Sequence, residues 1–154
     1  MKKVILVLAV LAFTQTNAQQ IKMQCDKVDD MTGNIVKTTK SYKMASDFSQ
    51  VWSTSLSRVN ESTYLNIHVN GYAGCSGTVD GKAIVKLKNG ATISLEEVSN
   101  IKCGNYKVFT YSLTDELMNT GQNIDKIRIY TTSGYTERAW EGKFSFITFL
   151  KAIK

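Results

Sequence analysis

His68 is the only histidine in the chain. Any Ser-His-Asp or Cys-His arrangement for nucleophilic catalysis must therefore run through it. It stands between Ile67 and Val69 in an alternating stretch, on the side shared with Tyr64, Asn66 and Asn70. That setting reads as an exposed or hydrogen-bonded strand histidine, and no Gly-x-Ser-x-Gly elbow accompanies it. A zinc centre needs three or four His and Cys ligands, whereas one His and the scattered Cys25, Cys75 and Cys103 do not supply such a set. The adjacent carboxylates Glu96 and Glu97 would point to opposite faces of a strand. Asp29 and Asp30, with Thr32, Gly33 and Asn34, read as a solvated acidic turn without the ligand spacing of an EF-hand. The stretch Gly71-Tyr72-Ala73-Gly74-Cys75-Ser76-Gly77 lacks the Lys-Ser/Thr end of a phosphate loop and reads as a β-connection needing positive φ. No catalytic group, metal or cofactor is expected, and the chain reads as a non-enzyme.

What remains is recognition chemistry. Tyr64, His68, Tyr72, Tyr130, Tyr135 and Trp140 are the binding-surface candidates, because sugar and peptide groups stack on aromatic faces. Ordinary core and edge packing accounts for most tyrosines in β-proteins, and it competes for each of these residues. The formal charge is +6, without a basic stripe of the kind that reads nucleic acid.

Met1-Lys2-Lys3, then ten apolar residues from Val4 to Phe13, then a small and polar stretch ending Thr16-Asn17-Ala18, match a secretory signal peptide. Cleavage is expected between Ala18 and Gln19. Ten apolar residues are too few for a membrane-spanning helix, which takes about 20, and Cys25 is not placed for lipid attachment. The expected organisation is a signal peptide over 1–18 and one β-rich domain over 19–154, periplasmic or extracellular, with no transmembrane segment. Without Lys2 and Lys3 the formal charge falls from +6 to +4.

The elements that would position these residues are mostly strands. Period-two alternation recurs in 51–59, 64–70, 82–88, 93–95, 108–113 and 126–130. Asn89-Gly90 predicts a hairpin with a type I′ turn, and a second hairpin turns at 29–34 and continues from Ile35 to Met44. Thr114 is a good N-cap for a short helix near 114–120, with Asp115 and Glu116 at its positive end and Gly121 at its close. Phe144 to Ile153 fits both a helical and a strand face, and its aromatic and β-branched content favours strand. The whole is mainly β: an antiparallel sandwich or barrel of about seven to eight strands with one short helix. If the strands alternate up and down, Cys75 and Cys103 lie at one end of the sheet and form a disulfide. The alternative is three reduced, buried thiols.

The Lys2-Lys3 segment ending Asn17-Ala18-Gln19, the turn Lys88-Asn89-Gly90, the Thr114 helix and the strand Asp125-Lys126-Ile127-Arg128-Ile129-Tyr130 together give the chain its resemblance to other proteins. It resembles the small exported β-rich proteins of Bacteroidetes-type bacteria, a group that implies no activity. The leading expectation is a non-catalytic module binding another protein or a cell-envelope component. A small barrel carrying an apolar ligand is the alternative, and a carboxylate-dependent hydrolase of envelope glycans is the third.

Overall fold

Alternation sets the architecture. Along Ser62–Asn70, Thr63, Leu65, Ile67 and Val69 are buried while Tyr64, Asn66 and His68 stay half-buried on the other face. A computed structural model describes residues 20–76 and 81–154, so the expected signal segment lies outside the described residues. Among those residues there are ten strands: β1 (Met23–Val28), β2 (Ile35–Thr39), β3 (Tyr42–Ser46), β4 (Val51–Val59), β5 (Ser62–Asn70), β6 (Lys82–Leu87), β7 (Thr92–Glu96), β8 (Tyr106–Ser112), β9 (Ile124–Thr131) and β10 (Gly134–Ala139). Two helices accompany them, α1 (Asp115–Asn119) and α2 (Phe146–Ile153). One sheet runs β1-β2-β4-β5-β8, with β3 also paired to β4; the other runs β10-β9-β6-β7. All pairings between these strands are antiparallel.

The fold is mainly β, as expected, and it is a sandwich of two open sheets rather than a closed barrel. Trp52, Leu65, Ile67 and Phe109 from one sheet and Val85, Leu95, Ile127 and Ile129 from the other fill a single apolar slab. Two seams stitch its sides. Glu97 forms a bridge to Tyr111, and the Glu141 N–H donates to the Met44 carbonyl at 3.1 Å. Gly142 fits this second seam because a Cβ there would meet the Lys43 carbonyl oxygen at 2.7 Å. No helix among the described residues is long and apolar enough to cross a membrane.

Four local expectations change. The stretch 35–44 is two strands, broken at Lys40–Ser41, and both lie along β4. At the break the Thr39 hydroxyl accepts from the Leu56 N–H at 3.0 Å. The Asn89-Gly90 hairpin forms, but Gly90 alone has positive φ (91°). The Leu87 N–H reaches the Ala91 carbonyl at 2.8 Å, so the loop has three residues, with glycine in the position that needs it, and is not type I′.

The tail is a helix. Ser145 caps it by accepting from the Thr148 N–H, and Phe146, Phe149, Leu150 and Ile153 are buried. A cap and a complete helical stripe outweigh β-propensity here. The six-stranded sheet offers more inner face than four strands cover, and α2 packs on the surplus, against β2 and β4. The fourth change is β10, a strand without apolar alternation. Thr136 and Arg138 face inward from it, opposite Ile129 and Ile127.

Cys75 and Cys103 are bonded, with Cα atoms 4.4 Å apart. The bond joins two of the connections that pass between the sheets, β5 to β6 and β7 to β8, beside the Ser76–Lys102 bridge. Cys25 is free and half-buried in β1. Replacing both bonded cysteines by alanine should lower unfolding free energy by about 3 kcal/mol, from the lost closure of the intervening loop. Cys25→Ala should change it by less than about 1 kcal/mol. Urea denaturation of the three proteins checks both.

Candidate functional site

Strand register decides which loops meet. Val51 pairs with Asn70, and Asn70 with Tyr106. The β3–β4 turn, the segment after β5 and the segment before β8 therefore share one end of the sandwich. The β9–β10 turn joins them, since the Cys75 N–H donates to the Thr132 hydroxyl at 3.1 Å. Phe48, Val51, Tyr72, Ile101, Tyr106 and Tyr135 all sit at or beside these loops. They are six of the ten large apolar or aromatic side chains exposed among the described residues. Ser49, Gly71, Gly74, Ser76, Gly104, Asn105, Ser133 and Gly134 lie between them. Aromatics interspersed with Ser, Gly and Asn on loops over a rigid scaffold are the composition of protein recognition surfaces.

The loops are held from beneath by Gln50, which is buried. Its Oε1 accepts from Trp52 Nε1 at 2.8 Å and from Arg138 at 3.2 Å, and its Nε2 donates to the Tyr72 carbonyl. Asp47 closes the turn by accepting from the Ser49 and Gln50 N–H groups, both at 2.8 Å, and it pairs with Arg138. Those backbone N–H donors hold its carboxyl below the ordinary aspartate value, with Arg138 contributing least. Gly71 and Gly74 explain the glycine-rich stretch without a phosphate. A Cβ on Gly71 would lie 2.2 Å from the Ser49 carbonyl oxygen, and one on Gly74 would lie 2.3 Å from Thr131 Oγ1. Both have positive φ, 116° and 78°.

Between these loops lies an open pocket of about 250 Å³, lined by Gln50, Tyr72, Thr131, Ser133, Tyr135 and Thr136 among others. The Tyr72 and Ser133 hydroxyls bridge at 3.0 Å. Each tyrosine ring is steadied by a cation: Arg128 lies 4.5 Å from the Tyr135 centroid, and Lys107 Nζ lies 5.8 Å from that of Tyr72. Lys107 is itself buried, and burial pulls its ammonium below the ordinary lysine value while Tyr72 opposes that shift.

The six aromatic candidates do not form one platform. Tyr72 and Tyr135 line the pocket. Tyr130 lies beside Tyr135, centroids 6.1 Å apart, under the ammonium of Lys82 at 5.2 Å. Tyr64 and His68 face outward from the six-stranded sheet. Trp140 is at the far end of β10, packed on Phe146 and Phe149. Phe48, Gln50 and Tyr106 escaped the sequence reading. Phe48 in an Asp-initiated turn is the one sign that was available, because a large apolar side chain is out of place there.

His68 has an informative setting. Ser55 Oγ is 3.0 Å from its Nε2, and the Tyr106 hydroxyl is 3.0 Å from its Nδ1. This is the outline of a nucleophile, a base and an orienter, but Ser55 is only 3% exposed and the orienter is a phenol, not a carboxylate. The chain of bonds ties Tyr106, at the rim, to the sheet face. Among the described residues no group of three or more His, Cys, Asp or Glu is arranged to hold a metal. No family model, curated protein or solved structure matches the chain.

Two outcomes follow from this geometry. Gly74→Ala should destabilise by about 2 kcal/mol or more, through strain plus collision. Gly134→Ala, where a Cβ meets nothing within 4 Å, should cost only the strain of positive φ, about 1 kcal/mol. Denaturant titration separates them. Burial lowers the His68 pKa below its ordinary 6.5, so below that pH the unfolded chain takes up a proton that the folded chain resists. Stability should therefore fall as pH drops through 6.5 toward the folded-state value. In His68→Gln that part of the pH dependence should vanish, as read from unfolding midpoints across pH 4.5–7.5.

Proposed function

We propose that the chain is an exported, non-catalytic binding module that takes another protein or a cell-envelope component at the loop end of the sandwich. The supporting observation is the concentration of exposed aromatic side chains there, Phe48, Tyr72, Tyr106 and Tyr135, on or beside loops fixed by a disulfide and by Gln50. The rings of Tyr72, Tyr106 and Tyr135 are already held by neighbouring groups, so they lose little conformational freedom on binding, and this raises affinity for a given contact area. Export agrees with the Lys2-Lys3 leader and with a disulfide in the folded domain. An apolar carrier would need its chamber between the sheets, where Trp52, Phe109 and Tyr111 are fully buried in the slab. A carboxylate-dependent hydrolase would need two carboxylates facing one cleft, and among the described residues no Asp or Glu lines the loop-end pocket.

The test is binding of the purified chain from Gln19 onward to envelope fractions of its own cell. Phe48→Ser and Tyr135→Ala should each weaken binding about tenfold or more, as hot-spot aromatics do. Tyr64→Ala and Lys86→Glu, on the outer sheet faces, should leave it unchanged. If the sheet-face variants lose binding and the loop variants keep it, the loop end is not the site.

A further inference from the structure

We infer that the pocket between Tyr72 and Tyr135 takes one uncharged sugar ring of a longer glycan chain; this rests on the reading of the loop end as the binding surface. Its wall alternates aromatic rings with hydroxyls. Tyr72 and Tyr135 are 69% and 63% exposed, and Thr131, Ser133 and Thr136 line the same space. A pyranose has the complementary pattern, with C–H faces that lie on rings and hydroxyls that donate and accept. The Tyr72–Ser133 hydroxyl bridge suits such a ligand, since either oxygen can be the donor and both can turn to a third partner.

Charge argues against an anion. Among the described residues, no Lys, Arg, Asp or Glu lines the pocket. The nearby cations are engaged: Arg138 by Asp47 and Gln50, Lys107 by the Gly104 carbonyl, and Arg128 by Glu137 at 2.9 Å. A carboxylate or phosphate would have to displace one of these pairs. Size argues for one ring. About 250 Å³ is below the roughly 300–1,000 Å³ of sites that enclose a drug-sized ligand, so the rest of the glycan must run outward over the exposed loops. An open site for one ring should bind at about millimolar Kd.

The experiment is a nitrogen-15 NMR titration of the chain from Gln19 onward. The probes are uncharged hexose and N-acetylhexosamine tetrasaccharides, with a uronic acid tetrasaccharide for comparison. The uncharged probes should shift the amides of Tyr72, Ser133 and Thr136 with an affinity that added salt does not change. Tyr72→Ala and Tyr135→Ala should weaken this about tenfold with unfolding midpoints unaltered, while Tyr135→Phe keeps most of it. Co-sedimentation with insoluble, uncharged envelope polysaccharide, competed by the soluble probes, tells a polymer from a free oligosaccharide. Absence of any shift at about 10 mM uncharged probe overturns the proposal, as does binding confined to the uronic acid probe and abolished by salt. If loop variants still lose envelope binding while no saccharide binds or competes, the sugar assignment fails and the loop-end reading stands. If loop variants bind envelope fractions like the parent, that reading fails.

Discussion

The apolar slab between the two sheets is the constraint from which the rest follows. Neither sheet buries its inner face alone. Trp52, Leu65 and Ile67 need Val85, Ile127 and Ile129 opposite them, and each such side chain contributes about 1.5–3 kcal/mol when removed from water. Because side chains alternate along a strand, committing one face of every strand to the slab fixes what is left outside. The chain must also cross between the sheets, after β5, after β7 and again after β8. Those crossings cannot be long or loose without exposing the slab's end. The Cys75–Cys103 bond ties the first two crossings together, and Gly71 and Gly74 let the first pack closely on Ser49 and Thr131.

The end of the slab is where apolar burial gives way to polar accounting. Arg138 and Lys107 face inward near the rim, and neither is left with a bare charge. Gln50 is the junction. One amide bonds the Trp52 indole in the slab, the Arg138 guanidinium on β10 and the Tyr72 backbone at the surface. A buried amide satisfied on both its oxygen and its nitrogen is rigid, because breaking any one bond leaves a polar group dry. The position of Tyr72 is thus set by the same residue that seals the core, and a change in core packing at Trp52 would be felt in the pocket.

How much of this was legible depends on what signal each residue carries. β5, β6 and β7 were plain because their inward positions are Leu, Ile, Val and Ala at period two. The disulfide followed from counting strand passes between Cys75 and Cys103. β10 was hidden because Thr136 and Arg138 occupy its inward positions, so no apolar rhythm marks it. α2 reads as a strand because Phe144-x-Phe146-x-Thr148 alternates like one, while the opposing signal, the Ser145 cap, is a single residue. The site was least visible of all. Phe48, Tyr72, Tyr106 and Tyr135 are far apart in sequence, and each alone is an ordinary exposed aromatic. Only the register, Val51 to Asn70 to Tyr106, and the Cys75–Thr132 hydrogen bond make them neighbours.

The two outer sheet faces show why recognition falls to the end and not to the broader surfaces. On the six-stranded sheet, Thr38 donates to Ser57, Asn66 donates to Ser57, and Thr110 donates to Asn66, while Ser55, His68 and Tyr106 are linked in turn. On the four-stranded sheet, Glu137 joins Lys126 and Arg128, at 2.6 and 2.9 Å, and Asp125 holds Lys88 at 2.8 Å. In both cases these polar groups are already turned toward one another across the strands. A ligand there would have to break those bonds for contacts of the same strength, with little net gain. At the loop end the balance is different. Ring area still faces water, and the hydroxyls beside it can turn outward without stranding a buried partner. Net binding energy comes from surface whose interactions are not yet made, and in this fold that surface lies where the strands stop.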